Sequence, residues 1–317
     1  MTKSKFLTVL LFGILPKFSL VEAYDQPMTI DLNQLIINDK YICTETQRQE
    51  LEQLFASYPH NTLSVEQLWQ MMDDVWDRLG CDNQNLNWDK ISAFYNHPVW
   101  ILNGLFVEQD ELSMKNRRCI SDWIKLKKEE IRQVVDYGGG MGILAQLIAQ
   151  TNPELKIDIY EPYPTEVAIQ RLASYSTVNF LDHLQSNTYD CLISTDVLEH
   201  VLDPLILLAE MISSVRPQGY LIIANCFNPV IKCHLPQTFH LRYTFNLFTK
   251  LMGLKSLGHC FKSHATAYVK IEKTLNWEQI RQAEAISKSI FTILNLLHQG
   301  YKLRKKIRYR SATHLSI

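Results

Sequence analysis

The sequence predicts an α/β fold built on a doubly wound, mostly parallel sheet. Three observations carry that expectation. Strand-like apolar runs alternate with helical apolar patterns from about residue 131 to 271, the first such run enters a glycine-rich turn, and the second ends on an acid. Alternating strands and helices imply parallel strands covered by helices on both faces.

The first strand and its turn are Val134-Val-Asp-Tyr-Gly-Gly-Gly-Met-Gly142, followed by Ile143, Leu144, Leu147 and Ile148 in helical spacing. Strand, glycine turn and helix in that order open a nucleotide-type binding site, because backbone N–H groups and a helix N-terminus then face the ligand. Glycine allows close approach to the main chain and supplies positive φ. The second strand, Lys156-Ile-Asp-Ile-Tyr-Glu161, ends on an acid nineteen residues after Gly142. In doubly wound folds an acid about 20 residues on holds the ribose hydroxyls, and a carboxylate offers two acceptor oxygens to a vicinal diol. The plainer reading of Glu161 is a solvated strand end. Further strands are expected at 177–181, 189–194 and 220–225, and helices at 142–150, 165–174, 204–215 and 244–252.

Glycine spacing separates two cofactors. A dinucleotide turn needs G-x-G-x-x-G, but counting from Gly138 or Gly140 meets Ile143 or Ala145. The pattern is instead D-x-G-x-G-x-G, with Asp136, Gly138, Gly140 and Gly142. This resembles motif I of the class I S-adenosylmethionine-dependent methyltransferases. Tyr189-Asp-Cys-Leu-Ile-Ser-Thr-Asp-Val-Leu-Glu-His-Val201 is similar to that family's fourth strand and following segment, and Arg216-Pro-Gln-Gly219 with Tyr220-Leu-Ile-Ile-Ala224 to its turn and fifth strand. The likeness covers about 134 to 271. It implies a Rossmann-like sheet of seven strands, with 254–258 and 266–271 as the last two. It also implies S-adenosyl-L-methionine as cofactor and methyl transfer to O or N of a small-molecule acceptor. The alternatives are a nicotinamide-dependent oxidoreductase and a non-catalytic scaffold that keeps the fold.

On this resemblance the cofactor site comprises Asp136, Gly138, Gly139, Gly140, Gly142, Glu161, Asp182 and Thr195. Asp136 is expected to brace the turn by accepting backbone N–H bonds, Asp182 to accept from the adenine amino group, and Thr195 to close the floor. Deprotonating a hydroxyl or ammonium acceptor calls for a base, and imidazole suits that near neutral pH. His200 is the first candidate, beside the plain alternative of a locally hydrogen-bonded histidine. His234 and His240, in the long 227–243 connection, are the others. Cys233 and His234 have no further ligands at useful sequence spacing, so no metal site is expected. Tyr95, Trp100, Phe106, Phe239 and Tyr243 either line an acceptor pocket or belong to the core.

The remaining regions complete four expected segments: 1–27, 28–130, 131–271 and 272–317. Residues 28–130 read as helical and are expected to form a lid over the strand ends. Ser64-Val-Glu-Gln67 is a capping-box sequence, followed by a core stripe of Val65, Leu68, Trp69, Met72, Val75, Trp76 and Leu79 that Gly80 closes. A last helix is expected between Asn276 and Gly300, followed by Lys302, Arg304, Lys305, Lys306, Arg308 and Arg310. That tail is either solvated or drawn to an anionic membrane surface. Net charge is −1, so no nucleic-acid partner is expected. Seven cysteines without a C-x-x-C pair fit free thiols in a cytoplasmic protein. The N-terminal Lys3, Lys5 and Phe6–Leu15 have the outline of a signal peptide. Separation from a cofactor made in the cytosol argues for a mis-called start or an extension instead.

Overall fold

The computed structural model describes residues 44–56 and 62–313, and strand residues 28–29, 36–37 and 40–41. The extension expected at 1–27 lies outside the described residues, and from 301 to 313 only helical backbone is described.

The N-terminal region forms helices α1 Glu45–Phe55, α2 Val65–Arg78, α3 Trp88–Tyr95, α4 Val99–Gln109 and α5 Glu111–Leu126. It is not wholly helical as expected. Met28–Thr29 pairs antiparallel with Thr62–Leu63, and Ile36–Ile37 with Lys40–Tyr41. These pairs use β-branched Thr and Ile, whose χ1 freedom a helix restricts. The capping box forms as read: Ser64 Oγ accepts from Gln67 N at 3.2 Å and Gln67 Oε1 from Ser64 N at 2.8 Å. Val65, Leu68, Met72, Val75 and Trp76 are buried, so the stripe of α2 is core, and Gly80 follows its end at φ 65°.

One sheet holds seven strands: β1 Gln133–Tyr137, β2 Lys156–Tyr160, β3 Val178–Leu181, β4 Tyr189–Thr195, β5 Val215–Ala224, β6 Leu254–His259 and β7 Thr266–Lys270. Their spatial order is β3-β2-β1-β4-β5-β7-β6. The first five are parallel and the last two antiparallel. β1 and β4 are buried on both faces along almost their whole length, as central parallel strands are. Helices α6 Ile143–Thr151, α7 Glu166–Leu172 and α8 Pro204–Ser214 follow β1, β2 and β4. Strand β5 begins at Val215, earlier than expected, and takes the Arg216–Gly219 turn within it through Gln218 at φ 63°.

Strand order reverses between β1 and β4, and ligands bind such sheets at that switch point, beyond the carboxyl ends of the strands. Register sets the positions there. Tyr137 pairs with Tyr160 and with Ser194, and Tyr160 with Leu181. The glycine turn, Glu161, Asp182 and Thr195 therefore emerge on one edge. At the opposite edge the buried Asp190 accepts from Arg132 N at 2.6 Å and Gln133 N at 3.0 Å and pairs with Arg216 Nε at 2.8 Å. That carboxylate fixes the starts of β1, β4 and β5 relative to one another.

Described residues up to Phe239, with Leu254–Glu272, form one compact unit; His240–Gly253 and the chain from Lys273 on form another. The second holds α9 Leu241–Leu251 and α10 Trp277–Thr313. Asn276 Oδ1 accepts from Gln279 N at 2.9 Å and caps α10 as expected. Gly300 does not close it. That glycine does not take a positive φ, and a Cβ there would meet nothing within 4 Å. A glycine inside a helix costs only about 1 kcal/mol, and the helix continues.

Candidate active site

The turn after β1 explains each glycine separately. Gly138, Gly140 and Gly142 adopt φ of 73°, 53° and 71°, the left-handed region that Cβ disfavours. A Cβ on Gly138 would stand 2.5 Å from Val197 Cγ2, and one on Gly142 2.4 Å from Leu172 Cδ1. On Gly139 it would meet Ile159 Cγ2 at 2.8 Å. These three are needed for packing. Gly140 alone faces open space, with nothing within 4 Å of a Cβ, so its missing side chain leaves bare backbone to a ligand.

Two carboxylates flank the turn. Glu161 accepts from Gly140 N at 2.9 Å through Oε2 and from Tyr163 N at 3.1 Å through Oε1. Burial raises its pKa, and those two backbone bonds oppose the rise. Each oxygen keeps a second lone pair for another donor. Asp136 is 2% exposed, and its Oδ2 has no hydrogen-bond partner. Its expected role is corrected here, because the turn is braced without it. Gly138 N donates to the Tyr160 carbonyl at 2.7 Å, Gly140 N to Glu161, and Gly142 N to the Gly139 carbonyl at 2.9 Å. Burial pushes the Asp136 carboxyl up to about 7; the Arg117 guanidinium opposes this and the Glu161 carboxylate adds to it. A buried carboxylate with one unsatisfied oxygen beside bare backbone fits a ligand that brings positive charge.

Beyond β4 a 3₁₀ turn, Leu198–His200, places Glu199 and His200. His200 Nδ1 lies 3.2 Å from the Cys233 carbonyl, and His234 Nδ1 lies 2.6 Å from that of Asn228. A carbonyl only accepts, so both rings carry the proton on Nδ1 and keep a lone pair on Nε2. The rings meet edge to face with centroids 4.8 Å apart. Burial pushes His200 down to about 3, with His234 adding and the bond to Cys233 opposing; burial also lowers His234. Neighbouring Glu199 is fully buried, accepts from Cys226 N at 2.7 Å through Oε1, and leaves Oε2 without a partner. Aromatic side chains from the N-terminal helices reach the same place. Tyr95 stacks on Trp100 and on Tyr163 at 5.3 Å each, and both Tyr95 and Trp100 meet His200 edge-on at 6.2 and 6.5 Å. Ser92 Oγ lies 3.0 Å from Tyr163 Oη.

A sequence profile of the methyltransferase domain family matches residues 112–294 of this chain. The chain belongs to that family. Among curated relatives, the ubiquinone biosynthesis O-methyltransferase of Hydrogenovibrio crunogenus is 28% identical over 129 residues, 38% of this chain and 53% of its own length. The protein of the same name from Vibrio cholerae is 31% identical over 114 residues, 33% of this chain and 45% of its own length. The chain thus spans about half the length of the curated relatives it matches. The solved CurJ carbon methyltransferase has 11% identity and a TM-score of 0.47, over 85% of this chain and 91% of that one.

In this chain the four glycines, Asp136 and Glu161 gather at one turn. Thr195 ends β4, paired with Ala224 of β5. Asp182 directly follows β3 and is exposed. His200 and His234 come together, whereas His240 belongs to the other unit, where its Nδ1 lies 2.8 Å from Ser287 Oγ. Of the five aromatic candidates, Tyr95 and Trp100 reach His200. Phe106 is core, and Tyr243 packs on Phe291 with centroids 5.9 Å apart. Sequence reasoning missed Tyr163, two residues after Glu161, and the pairing of His200 with His234 across 34 positions. It also missed two further buried oxygens without partners, Ser194 Oγ in β4 and Asn225 Oδ1 just after β5. The one available signal was the long 227–243 connection itself, with its two histidines.

Proposed function

We propose that this methyltransferase binds S-adenosylmethionine at the turn after β1 and transfers a methyl group to O or N of a small-molecule acceptor. The observation that carries the reading is the open backbone at Gly140 beside the unpartnered Asp136 carboxylate, since the cofactor is a cationic nucleoside with a ribose diol. When bound, S-adenosylmethionine supplies a methyl group already activated by its sulfonium. Asp136 compensates positive charge, Glu161 offers its free lone pairs to the ribose hydroxyls, and the N-terminus of α6 faces the amino-acid carboxylate. Asp182 accepts from the adenine amino group and Thr195 closes the floor beneath.

The chain's remaining task is to position the acceptor and take its proton. Holding reactants in line supplies several kcal/mol of the barrier. The Tyr95–Trp100–Tyr163 stack offers a flat apolar face to an acceptor ring, and His200 Nε2 receives the proton from the acceptor hydroxyl or ammonium. The O-methyltransferase names of the curated relatives support oxygen. Residues 28–130 act as a lid, and the enzyme works in the cytoplasm, where its cofactor is made. Among the described residues no helix is long and apolar enough to cross a membrane. The basic residues between Lys302 and Arg310 are offered as the contact for an anionic membrane surface on the ground of their charge alone.

Isothermal titration with S-adenosylhomocysteine and with NAD⁺ tests the cofactor assignment. The expected result is micromolar binding of the first alone, weakened about tenfold or more in Glu161→Gln, on the scale of one lost charge-assisted hydrogen bond. Tight NAD⁺ binding overturns the reading.

A further inference from the structure

We propose that Glu199, His200 and His234 form a binding site for one divalent transition-metal ion. One donor atom from each lies within 4.8 Å of the other two. Both imidazoles are already oriented as ligands. His200 Nδ1–H donates to the Cys233 carbonyl and His234 Nδ1–H to the Asn228 carbonyl, which leaves each Nε2 lone pair to a metal. A backbone carbonyl on the second ring nitrogen is the usual support of a metal-bound histidine.

The carboxylate completes the set. Cys226 N fixes Glu199 through Oε1, while Oε2 is buried with no N–H or O–H donor and the Asp196 carboxyl stands beside the group, a pair of acids that a cation would neutralise. A buried carboxylate oxygen left unpaired is costly, and a shared cation satisfies it. All three supporting groups, Cys226 N and the carbonyls of Asn228 and Cys233, come from one stretch of chain after β5, so the donors are held by one frame. Metal–ligand bonds of about 2.0–2.2 Å require the donors to close in around the ion.

Two imidazole nitrogens and one carboxylate oxygen suit Zn²⁺, Fe²⁺, Co²⁺ or Mn²⁺ better than Mg²⁺ or Ca²⁺, which prefer oxygen alone. Three protein ligands leave a position open. On the methyl-transfer reading that position takes the acceptor's hydroxyl oxygen and makes it more acidic, with His200 then serving as a ligand in place of a base. This role rests on that reading; the site itself does not.

The test uses the full-length protein stripped with EDTA and titrated with CoCl₂ while visible absorption is followed, then challenged with ZnCl₂. Ligand-field bands should saturate at one cobalt per chain and vanish on adding zinc. H234Q and E199Q should each weaken cobalt binding at least tenfold, the lower end of what even outer-sphere changes cost. Failure of the wild-type protein to take up cobalt or zinc stoichiometrically overturns the proposal, and so does an H234Q protein that binds cobalt as tightly as the parent. Titration of the same samples with S-adenosylhomocysteine shows whether each variant has folded. It also separates the two proposals: cofactor binding without metal uptake removes the ion alone, and metal uptake without cofactor binding removes the methyl-transfer reading alone.

Discussion

Asp136→Asn should remove one pH-dependent contribution to the protein's stability while weakening its hold on the cofactor. The Asp136 carboxyl is buried with one oxygen unpartnered, and burial raises its pKa from 3.8 to about 7. A group that holds its proton more tightly when folded contributes stability fully below the unfolded value. It loses that contribution as pH rises through the folded value. Over the whole span the loss is about 4 kcal/mol, and between about pH 5 and pH 8 it is roughly 2–3 kcal/mol. Asparagine has nearly the same shape and no proton to lose. The variant should therefore gain about 2–3 kcal/mol relative to wild type between those pH values, read from urea denaturation at each. Parallel pH curves, within about 0.5 kcal/mol of each other, would refute the reasoning. The cofactor supplies a cation to the oxygen that lacks a hydrogen-bond partner. S-adenosylhomocysteine, which keeps the ammonium, should bind the variant about tenfold more weakly, on the scale of one charge-assisted contact. At about pH 6.5, binding to wild type should release protons, seen as buffer-dependent calorimetric heat, and binding to the variant should not.

The other glycines and histidines make separable predictions. Gly140→Ala meets no steric contact, so it should cost only about 1–2 kcal/mol of folding stability for its positive φ, yet lower S-adenosylhomocysteine affinity at least tenfold by filling the cradle. Gly104→Ala in α4 would put Cβ 2.1 Å from Met141 Cγ in the turn; thermal and urea melts should show about 1–3 kcal/mol of destabilisation. His200→Ala should lower turnover about a hundredfold or more in a radiolabelled methyl-transfer assay, while cofactor affinity stays within about twofold. Because burial holds His200 near 3, wild-type turnover should not fall between about pH 7 and 5 on its account. A turnover loss titrating near pH 6.5 in wild type and missing from His200→Ala would assign that titration to His200 and refute the lowered pKa.

Much of the cofactor edge was legible because its determinants are local. D-x-G-x-G-x-G fixes backbone conformation at its own positions, and Glu161 reaches Gly140 N because β1 and β2 run in register. Strand and helix periodicity likewise placed the five parallel strands to within a few residues, and the family resemblance supplied the two antiparallel ones. The exception was the start of β5, which runs through the Arg216–Gly219 turn, with Gln218 and not Gly219 in the left-handed region. Gly300 misled in the opposite sense, since a glycine without a left-handed φ does not stop a helix.

What the sequence by itself determined was therefore the parallel sheet, the naked turn and the acid beyond the second strand, all properties of short segments and their periods. Tertiary structure alone decided that Asp136 stands unpartnered, that His234 meets His200 and Glu199, and that Tyr163 joins the stack of Tyr95 and Trp100. Burial, tautomer and donor geometry depend on groups brought together from distant parts of the chain, and no local spacing encodes that meeting.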